Sequence, residues 1–270
     1  MPEGDVVHRT AQRLHAALAG RELVSSDLRW PSLATVDLSG RTVLEVVPRG
    51  KHLLMRVDGA PALTLHSHLR MEGSWHVHAT GQPWGSARRR DGIRAVLVNR
   101  EWTAVGHLLG MLDLVATSDE ATLVGHLGPD LLGADWDLQR ALDNLAREPD
   151  RPIGEALLDQ RNLAGIGTMF MAEGLFARRV NPWTPTARVP DLAGLLERTQ
   201  QLMRRNLGGA IQSTTGDTRH GQRTYVHGRH RRPCRRCGEA VRVEPIGEAP
   251  QDRVAFYCPR CQPPGEPDAR

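Results

Sequence analysis

Pro2 and Glu3 form a pair with the equipment for covalent chemistry. Loss of the initiator Met1 would leave Pro2 as a free secondary amine, and a chain-terminal amine has a pKa of about 8. A fraction of it is then an unprotonated nucleophile near neutrality, with a carboxylate alongside to move protons. An amine and an acid so placed can attack a carbon and form a Schiff base. Ordinary processing also produces a Pro terminus, so the pair alone does not decide between chemistry and housekeeping. Lys51 is the only lysine among 35 basic residues. Arginine stays charged near neutrality, whereas lysine can exchange a proton when its surroundings lower its pKa, so a sole lysine marks a place for proton transfer or a compact charge contact.

Cys234, Cys237, Cys258 and Cys261 form two CxxC pairs separated by twenty residues. Two such knuckles supply four thiolates to one tetrahedral Zn2+, and four protein ligands leave no open position for catalysis. The start of the chain has no basic flank followed by an apolar core, which argues for a cytoplasmic protein and for metal rather than disulfides. No run approaches the roughly 18 apolar residues of a membrane span. Net charge is only +4, but residues 219–236 hold seven arginines and no acid. That segment is either a solvated basic loop or a contact to nucleic-acid phosphate.

The elements that must carry these residues follow from periodicity. Val7, Ala11, Leu14 and Leu18 define an amphipathic helix, with Asp5 as a possible N-cap and Gly20 past its end. Between about residues 21 and 115, short alternating runs split by Gly, Pro and Asp predict an antiparallel sandwich or barrel. Lys51 follows "RG" and belongs at a hairpin tip or strand start. Residues 130–210 are helical in pattern, with Gly165 and Gly167 between two helical runs. Such a turn exposes backbone amides and a helix start, where a phosphate can dock; Thr168 is expected at the N-cap. The runs "AVRVEP" and "DRVAFYC" predict a hairpin between the knuckles with Arg253 near its tip. His66 and His68 share a strand face and would be possible metal ligands, but no further ligand stands at a recognisable spacing. His76 and His78 are expected on a half-exposed face.

In family order, "PEG", "RGKHL", "SHLRMEGSW", "HLGPDLL", "LLDQRNLAGIGT" and "CRRCG…DRVAFYCPRCQ" resemble the formamidopyrimidine-DNA glycosylase/endonuclease VIII family of base-excision repair enzymes. The "PEGD" start and the lack of a long loop before the cysteines resemble the endonuclease VIII branch, whereas "SHLRMEG" resembles the other. The resemblance implies an α+β fold: residues 1–125 an N-terminal helix with a catalytic β-sandwich, 126–222 a helix–two-turn–helix domain, 223–263 a zinc-finger β-hairpin, and 264–270 a disordered tail. It further implies a bifunctional DNA glycosylase/AP lyase acting on oxidised bases, pyrimidines in particular. Pro2 would be the nucleophile, Glu3 the acid/base, Lys51 a catalytic contact to phosphate that aids proton transfer, and Arg253 the catalytic-site arginine that grips phosphates around the lesion. Met71 would fill the void left by a flipped base. Arg70, His126, Gly165, Gly167 and Thr168 would be further DNA contacts, one Zn2+ the sole metal, and damaged duplex DNA the partner of a monomer, with no dissociable organic cofactor and no membrane association. The sequence departs from the family pattern at Val6, usually acidic, at Thr168, usually Asn, and at Arg70 and His126, where endonuclease VIII-like members carry Gln and Arg. Two rivals remain at this point: a non-catalytic zinc-containing damaged-DNA-binding protein, and a metal-dependent hydrolase built on the histidines.

Overall fold

The computed structural model describes residues 2–83, 91–209 and 211–264, so Met1 and all but the first residue of the expected tail lie outside the described residues. The chain divides into two compact units, Met1–His126 and Leu127–Arg270.

The first unit begins with helix α1, Gly4–Leu18, whose buried face carries Val7, Ala11, Leu14 and Leu18. Glu3, not Asp5, is the N-cap residue: its backbone is extended and its carbonyl accepts from Val6 N and Val7 N at 3.0 and 3.1 Å. Asp5 lies inside the first turn, buried, with its carboxylate 3.9 Å from Arg9. Nine antiparallel strands follow among the described residues. β1 (Arg21–Glu22), β3 (Thr42–Arg49), β4 (His52–Val57), β5 (Leu63–His68) and β9 (Met111–Ala116) form one sheet in the order β1-β3-β4-β5-β9. β2 (Ser25–Leu28), β7 (Ile93–Val98), β8 (Trp102–His107) and β6 (Ser74–Ala79) form the other, in the order β2-β7-β8-β6. Alternation sends Leu53, Met55 and Val57 of β4 into a core shared with Leu14 and Leu18 of α1, Trp75 of β6 and Leu97 of β7. Their neighbours His52 and Arg56 therefore take the opposite face of the strand. A short helix α2, Ala121–Val124, closes the unit.

The second unit holds helices α3 (Leu138–Ala146), α4 (Ile153–Leu158), α5 (Thr168–Arg178) and α6 (Leu192–Arg204), then the hairpin β10 (Arg242–Ile246) and β11 (Arg253–Tyr257). Asp137 and Asp191 cap α3 and α6 by accepting from Arg140 N and Gly194 N. Ile246 and Ala255 of the hairpin join the helical core of Leu157, Phe170, Leu175 and Leu196. A bond from Gly128 N to Gln160 O at 2.9 Å ties the start of this unit to the α4–α5 turn. A Cβ at Gly128 would lie 2.4 Å from Asn162 O and 2.6 Å from Arg161 O, both backbone atoms. Gly128→Ala is therefore expected to destabilise this unit by about 1–3 kcal/mol, the usual cost of forcing extra volume into packed structure. Chemical denaturation checks this, and an unchanged midpoint would show that the turn can yield.

Candidate functional site

Lys51 sits at the tip of a two-residue hairpin. Arg49 and His52 pair across it, leaving only Gly50 and Lys51 in the turn. Gly50 has φ +59°, and Lys51 is absent from the positive-φ residues, which are the signs of a type II′ turn. The "RGK" order thus puts glycine where the left-handed conformation is needed and aims the lysine from a rigid tip. In the same unit Pro2 is half-buried and Glu3 is 1 % exposed, at the start of α1.

Two further turns of this unit pack on each other. The β5–β6 turn carries Arg70 and Met71, and the β8–β9 turn carries Leu108. Gly110 N donates to His68 O at 2.9 Å, and a Cβ at Gly110 would sit 2.5 Å from the Arg70 side chain. Arg70 and Leu108 both have positive φ, 51° and 49°, a strained geometry for residues with a Cβ. Met71 is 64 % exposed and Leu108 37 %, so two apolar side chains reach solvent from these adjoining turns. The exposure of Leu108 depends on a loop contact that sequence spacing does not reveal.

Beneath Lys51 the histidines gather. His52 Nδ1 lies 2.8 Å from His66 Nε2, and His66 Nδ1 lies 2.9 Å from Asp113 Oδ2. The His68 ring stands edge-on to His52 at 4.8 Å, and His126 is 6.4 Å away. Burial, helped by the charges of His68, His66, His126 and Lys51, pushes His52 down to about 3. Burial, with Lys51, His66 and Arg70, pushes His68 down to about 4. Both imidazoles are neutral at neutral pH. Both ring nitrogens of His66 are engaged, by His52 and by Asp113, an arrangement different from the open metal-ligand pair considered from spacing. His76 is exposed and His78 half-buried, on β6.

In the second unit, the glycine turn between α4 and α5 is held by side-chain amides. Gly165 takes φ +105°, and its N–H donates to Gln160 Oε1 at 3.0 Å. Gln160 Nε2 donates to Leu158 O and Ile166 O, and Asn162 Nδ2 to Ala156 O. The N-cap of α5 is Gly167, not Thr168: Gly167 is extended and its carbonyl accepts from Met171 N at 2.9 Å. Thr168 is the first helical residue and only 4 % exposed. Arg253 opens β11 opposite Ile246, so it stands at the hairpin tip. Its Nη1 donates to Gln251 O and Asp252 O, and its side chain lines a cleft of about 530 Å³ with Arg151, Asp159, Gln160, Arg161 and Glu248.

The four cysteine sulfurs lie within 4.8 Å of one another, and none is in a disulfide. Sulfur–sulfur separations of 4.0 Å for Cys234–Cys261 and 3.4 Å for Cys237–Cys258 bracket the ~3.8 Å edge of a tetrahedron with 2.3 Å metal–thiolate bonds. Arg236 N and Cys261 N each approach a cysteine sulfur at 3.4 Å, as backbone donors to a thiolate would. The cluster can hold a metal ion. Its first knuckle also grips its surroundings. Arg235 donates to Thr224 O and Gly221 O, while Arg236 donates to Phe176 O and lies 4.2 Å over the Phe176 ring. Across the same loop, the buried Glu173 of α5 accepts from Thr214 Oγ1 and from the amides of Tyr225, Val226 and His227. Burial raises the Glu173 pKa, and those four donors oppose the rise. The arginine-bearing loop 215–224 is thus clasped at both ends by one carboxylate, a role no local pattern signalled.

The sandwich carries a lysine at a hairpin tip, the helical unit a glycine turn, and the hairpin after it four clustered cysteines. Residues 1–107 match the formamidopyrimidine-DNA glycosylase N-terminal domain, and residues 127–217 match the formamidopyrimidine-DNA glycosylase H2TH domain. The chain belongs to the formamidopyrimidine-DNA glycosylase/endonuclease VIII family. It is 53 % identical over 264 residues to a probable endonuclease 8 2 of Streptomyces coelicolor, covering 97 % of this chain and 94 % of that one. It is 43 % identical over 262 residues to the DNA-(apurinic or apyrimidinic site) lyase Nei2 of Mycolicibacterium smegmatis, covering 97 % and 99 %. The fold is that of the Lactococcus lactis formamidopyrimidine-DNA glycosylase in complex with abasic-site DNA, with TM-score 0.79 at 20 % identity over 97 % of this chain and 99 % of that one. No helix among the described residues is long and apolar enough to cross a membrane.

Proposed function

We propose that this chain is a bifunctional DNA glycosylase/AP lyase of base-excision repair, active on oxidised pyrimidines in duplex DNA. The observation that carries the reading is the Pro2-Glu3 start of α1 in a chain whose relatives, matched nearly end to end, are named endonuclease 8 and abasic-site lyase. With Met1 removed, the Pro2 amine attacks C1′ of the damaged nucleotide, the base leaves with the glycosidic electron pair, and the proton of the Pro2 nitrogen passes to the departing base. Glu3 delivers a proton to the sugar ring oxygen as the ring opens, and the product is an iminium. A secondary amine has by then given up its single N–H proton, so this iminium cannot deprotonate to a neutral imine and stays cationic. The iminium acidifies C2′, so loss of a C2′ proton expels the 3′ phosphate; a second, δ-elimination expels the 5′ phosphate and leaves a one-nucleotide gap.

The remaining residues bind and orient. Lys51 contacts phosphate and aids proton transfer, Arg253 grips the phosphates around the lesion, and Met71 enters the stack in place of the extruded base. Arg70, His126 and the Gly165–Gly167 turn with Thr168 meet the duplex. Cys234, Cys237, Cys258 and Cys261 hold one structural Zn2+, which fixes the hairpin that carries Arg253. Residues 1–125 then form the catalytic body, 126–222 the helical grip and 223–263 the finger of a monomeric enzyme that needs no dissociable organic cofactor and acts in the cytoplasm on the nucleoid.

The test is an end-labelled duplex carrying an oxidised pyrimidine, run beside one carrying 8-oxoguanine. The expected product is a strand ending in a 3′ phosphate, formed faster from the pyrimidine duplex. Faster cleavage of the purine duplex would reverse the substrate assignment, and intact strands with normal DNA binding would reduce the protein to a binding module. Binding is expected to weaken steeply with salt, because phosphate neutralisation by basic side chains releases counterions. For five or so contacts the slope of log K against log salt is about −4 to −5. A flat response in a binding titration would contradict this mode of contact.

A further inference from the structure

The Asp113–His66–His52 chain has no part in the chemistry just described, yet it ends beside Lys51. Asp113 on β9, His66 on β5 and His52 on β4 are brought onto one sheet face by the strand register, in which His66 pairs with Asp113 and His52 with His68. A carboxylate only accepts, so His66 Nδ1 carries the proton that bonds Asp113. When His66 carries only that proton, its Nε2 accepts and His52 Nδ1 donates across the 2.8 Å contact. His52 is thereby fixed as the Nδ1–H tautomer, and its lone pair stands on Nε2.

The charges that face His52 come from each packed element. Arg49 is its register partner on β3, Lys51 is its chain neighbour, His66 and His68 come from β5, Arg70 follows β5, and His126 lies at the end of the unit. All of these are cationic or become so on protonation, and Asp113, at the far end of the hydrogen-bonded chain, is an acid. In the free protein this surrounding keeps His52 and His68 neutral. A DNA phosphate on Lys51 reverses the local field, and an opposite charge favours the protonated imidazole.

We propose that His52, His66 and Asp113 form a relay that gains one proton from solvent when a DNA phosphate occupies the Lys51 hairpin, adding a second positive charge to that contact. The inference rests on the DNA-repair reading above. The proton adds at His52 Nε2. The His52 Nδ1–H donates to His66, and the His66 Nδ1–H donates to Asp113, so the new charge is anchored on a carboxylate. His66 and Asp113 are positioning residues in this scheme: they set the tautomer and touch no substrate.

Because the complex binds more protons than the free protein, affinity must rise as pH falls, by up to about tenfold per pH unit for one proton. The experiment uses the full-length protein and a duplex with a tetrahydrofuran abasic analogue, which binds without reacting. Proton uptake is read by titration calorimetry in two buffers of different ionisation enthalpy near pH 6.5, and Kd is followed from about pH 7.5 to about pH 5.5. Asp113→Asn preserves the shape of a residue whose side chain is 41 % exposed and removes its charge. Wild type is expected to take up more protons than this variant and to show the steeper pH slope. His52→Phe, expected to lower uptake likewise, secures the result if Asp113→Asn is unstable. Equal uptake in wild type and both folded variants overturns the relay while leaving the repair reading intact. Failure of wild type to prefer this duplex over undamaged DNA overturns the repair reading, and the relay with it.

Discussion

Protein that retains Met1 ahead of Pro2 loses cleavage at abasic sites by at least about a thousandfold, the scale on which deleting a covalent nucleophile acts. In retained-Met1 protein the Pro2 nitrogen is a tertiary amide with no lone pair to donate. The loss is specific to chemistry, because the backbone that positions Pro2 is set by Glu3. The Glu3 carbonyl begins the hydrogen bonding of α1, and the residues that bury the helix, from Val7 to Leu18, are untouched. Thermal stability and DNA affinity should therefore stay near those of processed protein. Single-turnover cleavage of an abasic duplex, measured on processed and unprocessed protein separated by mass, checks the expectation. Equal rates would remove Pro2 from the mechanism.

Loss of one cysteine has the second large effect. Cys258→Ser, at a fully buried position, is expected to release the metal and weaken DNA binding by a hundredfold or more. A structural four-thiolate site contributes on the order of 10 kcal/mol to the fold that it closes. Here the consequence extends past the hairpin. Cys234 and Cys258 share a small core with Phe176 and Val226, and Arg235 and Arg236 between the first two ligands hold Gly221, Thr224 and Phe176. Releasing the metal thus loosens both the Arg253 tip and the arginine-bearing loop 215–224. Metal content by mass spectrometry and binding by fluorescence anisotropy read the two effects together. A metal-free protein that still binds DNA normally would show that the finger carries no part of the affinity.

How much of this was legible depends on the distance over which each feature is built. The cysteine cluster was readable because CxxC spacing is local and the chemistry of thiolates is narrow. The Lys51 tip was readable because a glycine followed by lysine between two apolar alternating runs specifies a hairpin. The N-caps of α1 and α5 were misplaced, at Asp5 and Thr168, since both are cap-forming residue types. The cap is decided by which carbonyl starts the ladder, and those belong to Glu3 and Gly167. The Asp113–His66 bond spans 47 residues and depends on the β5–β9 register. Sequence shows His66 and His68 on a shared face but not what crosses to meet them. Glu173 likewise reads as one polar residue in an apolar helix, and its clasp on residues 214 and 225–227 appears only when the loop returns. Leu108 reads as one of several leucines, and its exposure beside Met71 follows from two turns packing together.

Covalent attack by Pro2 on an abasic site leaves a reducible bond between protein and DNA, so the decisive experiment is borohydride trapping on an abasic-site duplex. Reduction of the iminium fixes protein to DNA, and mass mapping of the linked peptide locates the nitrogen. The account predicts an adduct on Pro2 in metal-loaded protein from which Met1 has been removed. An adduct on Lys51, or no adduct from that protein, would contradict it.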